Sequence, residues 1–387
     1  MNKRLTQLLH FILVTLQSVL SVGAAAFAVV MLAVAIDGPL QPFLAMFVTA
    51  WLVFFAVCVH EGGHWLGARL AGMRVLQAKA LGLEVLKMQR GVRLRWARRV
   101  PGQPFSGYVL AVGHPGQPMR EPMMLSIAMG PALNLIVAAI FFVVFAFIRW
   151  PLAGWPLTFA VINLAMGLAN LIPTFQKGQR DKPHSDGAKL ISWWQKPDES
   201  SPEFAFLRLM TLSVSGIPSG EVPLEELRQL DELPMPMPTL SLAYRLEARL
   251  VAGDWNGALS LGDDLEGMIA AEPSMLVSLA THIAALRRQL EFCRAIAQGD
   301  AGTLAVPIFN RDLNWHAPAL APCCRALCAA LAGDRAGMEQ ELAAVESFAS
   351  NSQWRSSYLM YLALADHIRA ARERFAANNA ITGERFS

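Results

Sequence analysis

Charge is what this 387-residue chain has least of. Only 16% of its residues are Asp, Glu, Lys or Arg, against ~25% in soluble domains. Hydrophobic residues make up 54% and the mean hydropathy is +0.37. That balance excludes an intrinsically disordered chain and argues against an ordinary soluble enzyme. Carboxylates are scarcest in the first half: residues 1–197 hold 6 Asp+Glu against 18 Lys+Arg, whereas residues 198–387 hold 24 against 15. Two regions in different environments are expected from such asymmetry. The five cysteines (Cys58, Cys293, Cys323, Cys324, Cys328) are odd in number and lack paired spacing. They exclude a disulfide framework and fit a reducing compartment, and Cys323, Cys324 and Cys328 read as buried thiols rather than a second metal site. No phosphate-binding glycine loop is present, and no short repeat points to low complexity.

Four long stretches contain no Asp, Glu, Lys or Arg: 5–36, 38–59, 122–148 and 150–176. About 20 apolar residues suffice to cross a bilayer core, so four spans are predicted near 11–36, 39–59, 122–148 and 152–173. The first run far exceeds the 7–15 residues of a signal core and reads as a span that is retained. Basic residues set the orientation. Lys3 and Arg4 precede span one, nine Lys and Arg from Arg74 to Arg120 fill the 71–121 link, and Lys177, Arg180, Lys182, Lys189 and Lys196 follow span four. The opposite links are short and hold one basic residue, Arg149. The positive-inside rule then puts both termini and the long link in the cytoplasm. The basic charge beside the spans suits anionic lipid headgroups, and nucleic acid is not expected as a partner.

Within the link, Val92, Leu94 and Trp96 alternate with Arg93, Arg95 and Ala97, the period of a half-buried strand. Residues 81–88 and 108–112 are also strand-like, set apart by Gly91 and by Pro101-Gly102-Gln103-Pro104. A small cytoplasmic sheet is predicted, with a free edge at 81–88 or 91–100 able to hold an extended peptide. Residues 198–238 read as a linker that closes on Leu233-Pro234-Met235-Pro236-Met237-Pro238. Residues 239–387 read as helical hairpins turning at Gly253-Asp254 and Gly333-Asp334, and this helix, Gly-Asp turn, helix unit resembles tetratricopeptide hairpins. The fold expected is mainly α: a polytopic membrane bundle over 1–197, a small β element, and a soluble helical domain that binds a protein partner.

The chemistry lies in Val57-Cys58-Val59-His60-Glu61-Gly62-Gly63-His64 at the end of span two. Histidines at i and i+4 share a helix face and can hold one metal ion. Glu61, one residue on, is placed to take a proton from water. Ionisable groups in an apolar run are expensive and are functional by default. A catalytic zinc needs a third protein ligand and an open position. Span four leads through Asn170-Leu171-Ile172-Pro173 to His184-Ser185-Asp186-Gly187, offering Asp186 or, two residues away, His184. Asn134 and Asn170 are amides inside spans, suited either to an oxyanion or substrate backbone or to holding helices together. Gly62, Gly63 and Gly67 are expected to let helices approach closely.

These motifs resemble the site-2 protease family of intramembrane zinc metalloproteases. The resemblance rests on His60–His64, on Asn170, Pro173, Asp186 and Gly187, and on Gly130-Pro131-Ala132-Leu133-Asn134 in span three. It covers about residues 40–195, with a longer insert between Pro173 and Asp186 than is common in the family. It implies one Zn2+ held by His60, His64 and Asp186, with Glu61 as general base. The implied function is a zinc endopeptidase cleaving membrane-protein substrates in or near their spans, in a bacterial inner membrane. The alternative is a non-proteolytic membrane scaffold with a structural zinc and a partner-binding helical domain.

Overall fold

The computed structural model describes residues 3–36, 38, 40–97, 107–176, 179–183, 185–195, 202–305 and 310–383. Two compact units emerge: residues 1–87, 92–98 and 104–199 form the first, and 88–91, 99–103 and 200–387 the second. His184 and the 101–104 turn lie outside the described residues.

The first unit contains four helices long and apolar enough to cross a membrane: α1 (Lys3–Ala35), α2 (Gln41–Leu70), α3 (Arg120–Phe147) and α4 (Gly154–Leu171). Helix α3 packs between α2 and α4, and α1 lies against α4 and α2. Large apolar side chains face outward, with Phe43 69% and Phe147 85% exposed. Continuous exposed apolar surface of this kind marks contact with a membrane. Helix α2 runs past Val59, where its apolar stretch ends, to Leu70. It can do so because His60, Glu61 and His64 are themselves buried rather than facing lipid or water. The helix stops where Gly72 takes a left-handed φ of +76°.

Between α2 and α3 lie four antiparallel strands, β1 (Arg74–Ala80), β2 (Leu83–Lys87), β3 (Val92–Trp96) and β4 (Tyr108–Val112), in the order β3-β2-β1-β4. Three match the expected strands, and β1 is additional. Strand β2 pairs on both sides, Val85 with Ala78 and with Leu94. The stretch 81–88 therefore offers no free edge, and the edge strands are β3 and β4. The insert after Pro173 forms a second, two-stranded sheet, β5 (Phe175–Gln176) and β6 (Gln179–Pro183). A short helix, α5 (Asp186–Gln195), follows directly.

In the second unit, the stretch expected to be a linker over 198–238 is largely helical. Helices α6 (Ala205–Ser215) and α7 (Leu224–Asp231) bury Ala205, Leu209, Leu227 and Leu230 in a small core. Proline signals misled there: Pro223 stands just before the first residue of α7, where its missing N–H costs nothing. Then come α8 (Met237–Ala252), α9 (Trp255–Ala271), α10 (Met275–Ser278), α11 (Ala280–Gln298), α12 (Arg311–His316), α13 (Leu320–Leu331), α14 (Arg335–Ser350) and α15 (Arg355–Gly383). They share a core that includes Leu246, Leu265, Leu286, Phe292, Leu327 and Ile368. Both Gly-Asp turns have a physical basis. Gly253 and Gly333 adopt left-handed φ, and Asp254 and Asp334 accept from Gly257 N and Gly337 N at 2.9 Å to cap α9 and α14. Cys323 and Cys324 are buried in α13, and burial pushes the Cys324 thiol up to about 12.

Candidate metal centre

Two elements of the membrane unit bring three side chains to one point. His60 and His64 come from successive turns of α2 and Asp186 opens α5. Asp186 Oδ2 lies 2.9 Å from His60 Nε2 and 3.3 Å from His64 Nε2, and the two Nε2 atoms are 3.2 Å apart. All three residues are at most 9% exposed. Among the described residues they are the one group of three or more His, Cys, Asp or Glu placed to share an ion.

The local sequence explains the convergence. Gly63 and Gly67 let α2 press against α3. A Cβ at Gly63 would stand 2.8 Å from Gly130 Cα, and one at Gly67 would stand 2.7 Å from Met129 Cβ. Gly62 faces open space, so close approach requires two of the three glycines rather than all. Gly130 leaves room for the His64 ring, whose Nδ1 a Cβ there would meet at 2.8 Å. On the other side, Pro173 follows the end of α4, and Ser185 then ties α5 to it. Ser185 Oγ donates to Ile172 O (2.6 Å) and accepts from Thr174 N (3.0 Å) and Ala188 N (3.2 Å). The far end of α5 is held by Arg120, whose Nη2 donates to Trp194 O at 2.7 Å.

Hydrogen bonding fixes the chemical state of the ligands. His64 Nδ1 donates to Ser126 O (2.9 Å), and His60 Nδ1 donates to Asn134 Oδ1 (2.8 Å). A neutral imidazole carries one proton, so each Nε2 presents a lone pair to the common point. Asp186 Oδ1 accepts from the Lys189 ammonium at 2.9 Å. Two nitrogen lone pairs and a carboxylate oxygen thus converge without a donor between them, which a cation relieves. The donor set suits Zn2+ and leaves a position open.

Glu61 completes the arrangement. Its Oε2 is buried and has no hydrogen-bond partner among the described residues, an acceptor available to a reacting group. The chain beside it carries no side chain: a Cβ at Gly107, just before β4, would collide with Glu61 Oε1 and lie 2.5 Å from Lys79 O. Asn134 is wholly buried and engaged on both its amide atoms. Asn170 donates to Met166 O (3.0 Å) on its own helix. Ser126, Asn163 and Lys189 also belong to the surroundings of the site and were not read from the sequence. Only Asn163 carried a signal, an amide in an apolar span two helical turns before Asn170.

His60 and His64, on a helix long and apolar enough to cross a membrane, and Asp186 of α5 form a buried group that could hold a metal ion, with the Glu61 carboxylate next in the chain to His60. Residues 46–154 match the family model of peptidase family M50, the site-2 protease family. The match takes in His60, Glu61, His64 and Asn134 but ends before Asp186 and the second unit. No curated protein and no solved structure matches the chain.

Proposed function

We propose that this integral membrane protein is an intramembrane zinc metalloendopeptidase that hydrolyses peptide bonds in or near the spans of membrane-protein substrates. The observation that carries the reading is the convergence of two imidazole lone pairs and a carboxylate oxygen. Bound by His60, His64 and Asp186, zinc supplies a Lewis acid that polarises the scissile carbonyl and lowers the pKa of water. Glu61 takes the proton of the attacking water and hands it to the leaving amine nitrogen. Asn170 is the amide assigned to orienting the substrate backbone, while Asn134, wholly buried and bonded on both amide atoms, holds the helices together.

A substrate helix has its carbonyls tied up and must be drawn out locally. A free edge of β3 or β4 suits an extended segment, and β4 begins beside Glu61. The spans orient both termini to the cytoplasm of a bacterial inner membrane, with the basic link and tail against anionic headgroups. The helical region 239–387 serves as a tetratricopeptide-like platform for a protein partner.

The test compares membrane proteomes of cells carrying the native chain or Glu61→Gln, with zinc content measured on both purified proteins. The expected result is a membrane protein or fragment that accumulates only in the variant, with zinc retained in both. Identical proteomes with zinc bound in both would instead support a scaffold with a structural zinc.

A further inference from the structure

Behind His60 a chain of hydrogen bonds crosses three spans. His60 Nδ1 donates to Asn134 Oδ1 at 2.8 Å. Asn134 Nδ2 donates to Ala56 O (3.0 Å) on α2 and to Asn163 Oδ1 (2.8 Å) on α4. Asn163 Nδ2 donates to Phe159 O at 2.9 Å. Asn134, Asn163 and Ala56 are each 0% exposed.

The chain has only one consistent direction, set by its ends. A backbone carbonyl accepts and cannot donate. Phe159 O therefore takes the Asn163 amide nitrogen, which turns the Asn163 oxygen toward α3. That oxygen needs a donor, and Ala56 O, which can only accept, lies beside it, so the Asn134 nitrogen faces both. The Asn134 oxygen is left for His60, whose Nδ1 must carry the proton. Reversing either amide would set donor against donor or oxygen against oxygen at residues that are 0% exposed, where such groups find no substitute partner. His60 is thereby held as the tautomer whose Nε2 lone pair faces Asp186 and His64.

We propose that Asn163 is a positioning residue for the metal site: through Asn134 it fixes the tautomer and ring orientation of His60. This rests on the reading that His60, His64 and Asp186 hold zinc. It adds a residue outside the family match, one that touches neither metal ligand nor substrate. His64 needs no such relay, because Ser126 O accepts from its Nδ1 directly. The two ligands are thus oriented by different means, one of which depends on a distant side chain. Partners of this kind behind a ligating histidine are worth roughly 10- to 100-fold in metal affinity.

The test uses the full chain purified in detergent micelles as wild type, Asn163→Leu and Asn163→Asp. Zinc affinity is read by competition with a chelator. The tautomer of His60 is read by 15N NMR of the metal-free, histidine-labelled chain, with a His60→Gln spectrum assigning its signals. Wild type should show His60 carrying its proton at Nδ1, whatever the state of the Nε2 that faces Asp186. Asn163→Leu should show both tautomers and bind zinc about tenfold more weakly, the lower end of the range above because Ala56 O still holds Asn134. Asn163→Asp, whose protonated carboxyl can accept from Asn134 and donate to Phe159 O, should match wild type in both readouts. A leucine variant with wild-type affinity and a pure Nδ1–H tautomer overturns the proposal. So does an aspartate variant that loses both, which also decides the matter if the leucine variant does not fold. If the wild type itself binds no zinc, the metal reading falls, and the tautomer comparison alone judges the relay.

Discussion

Gly187→Ala tests whether the third ligand is delivered by contact between α5 and the end of α4. Gly187 is the second residue of α5, and its Cα backs onto the Leu171 peptide. An added Cβ would collide with Leu171 O, lie 2.6 Å from its carbonyl carbon and 3.1 Å from its Cα. All three are backbone atoms, so none can swing aside. Ordinary contact begins at 3.4 Å, and relief at the carbonyl carbon alone needs α5 to move by about 0.8 Å. Zinc–ligand distances tolerate about 0.2 Å. The residue next to the intruding methyl is Asp186 itself, so the required movement exceeds what the site can absorb about fourfold. Overpacking of this kind costs ~1–3 kcal/mol. If that strain is relieved by displacing α5 from the zinc-bound position, affinity falls roughly 5- to 150-fold. Competition with a chelator on the purified full chain measures this, with circular dichroism confirming that the helices persist. A folded Gly187→Ala protein that binds zinc as tightly as wild type would refute the packing of α5 on α4 as the source of the ligand's position.

Gly63→Ala should weaken zinc binding and lower the melting temperature by forcing α2 from α3 at Met129 and Gly130, while Gly62→Ala, facing open space, should leave both near wild type; equal effects from the two would contradict the packing. In the second unit, Glu247 is half-buried with hydrogen bonds from Ser219 Oγ (2.6 Å) and Ser357 Oγ (3.3 Å), near Tyr244 and Tyr361, and desolvation pushes its carboxyl above the ordinary range. A raised folded pKa gives stability that is full below the unfolded value, ~4.3, and is lost as pH rises toward the folded one. Hydrogen exchange in α8 and α15 should therefore show wild type losing protection relative to Glu247→Gln on going from acidic to neutral pH. Parallel profiles would contradict a desolvated protonated carboxyl.

What the sequence made legible follows from forces that act locally. Missing charge marks four spans because a charged residue in hydrocarbon is costly wherever it sits. The His60–His64 spacing fixes a shared helix face without reference to any neighbour. Strand β3 alternates visibly, and β4 is a short apolar run set off by turn signals. What stayed hidden depends on contact. The end of α2 at Leu70 rather than near Val59 depends on α3 covering His60 and His64 and on the chain at Gly107 covering Glu61. Strand β1 lies between two neighbours, and its sequence Arg-Val-Leu-Gln-Ala-Lys-Ala hardly alternates. Helices α6 and α7 were masked by prolines that precede helices as readily as they break them. Ser126 contributes to the site through its backbone oxygen, which no side-chain pattern reveals.

The membrane setting explains why this site is oriented by carbonyls. In water, an imidazole that loses one partner finds another, and its tautomer is only weakly biased. Inside a helix bundle no water competes, so each polar atom must be matched by a fixed partner. Backbone carbonyls of α2, α3 and α4 are the most rigid acceptors there, and each can be used in only one sense. Ser126 O fixes His64 directly, while Ala56 O and Phe159 O fix Asn134 and Asn163 and through them His60. Both lone pairs then point where Asp186 arrives, a carboxylate brought from outside the spans by Ser185 and Gly187. The same physics that makes polar residues costly in a bilayer leaves these ligands one arrangement, and that arrangement calls for a cation.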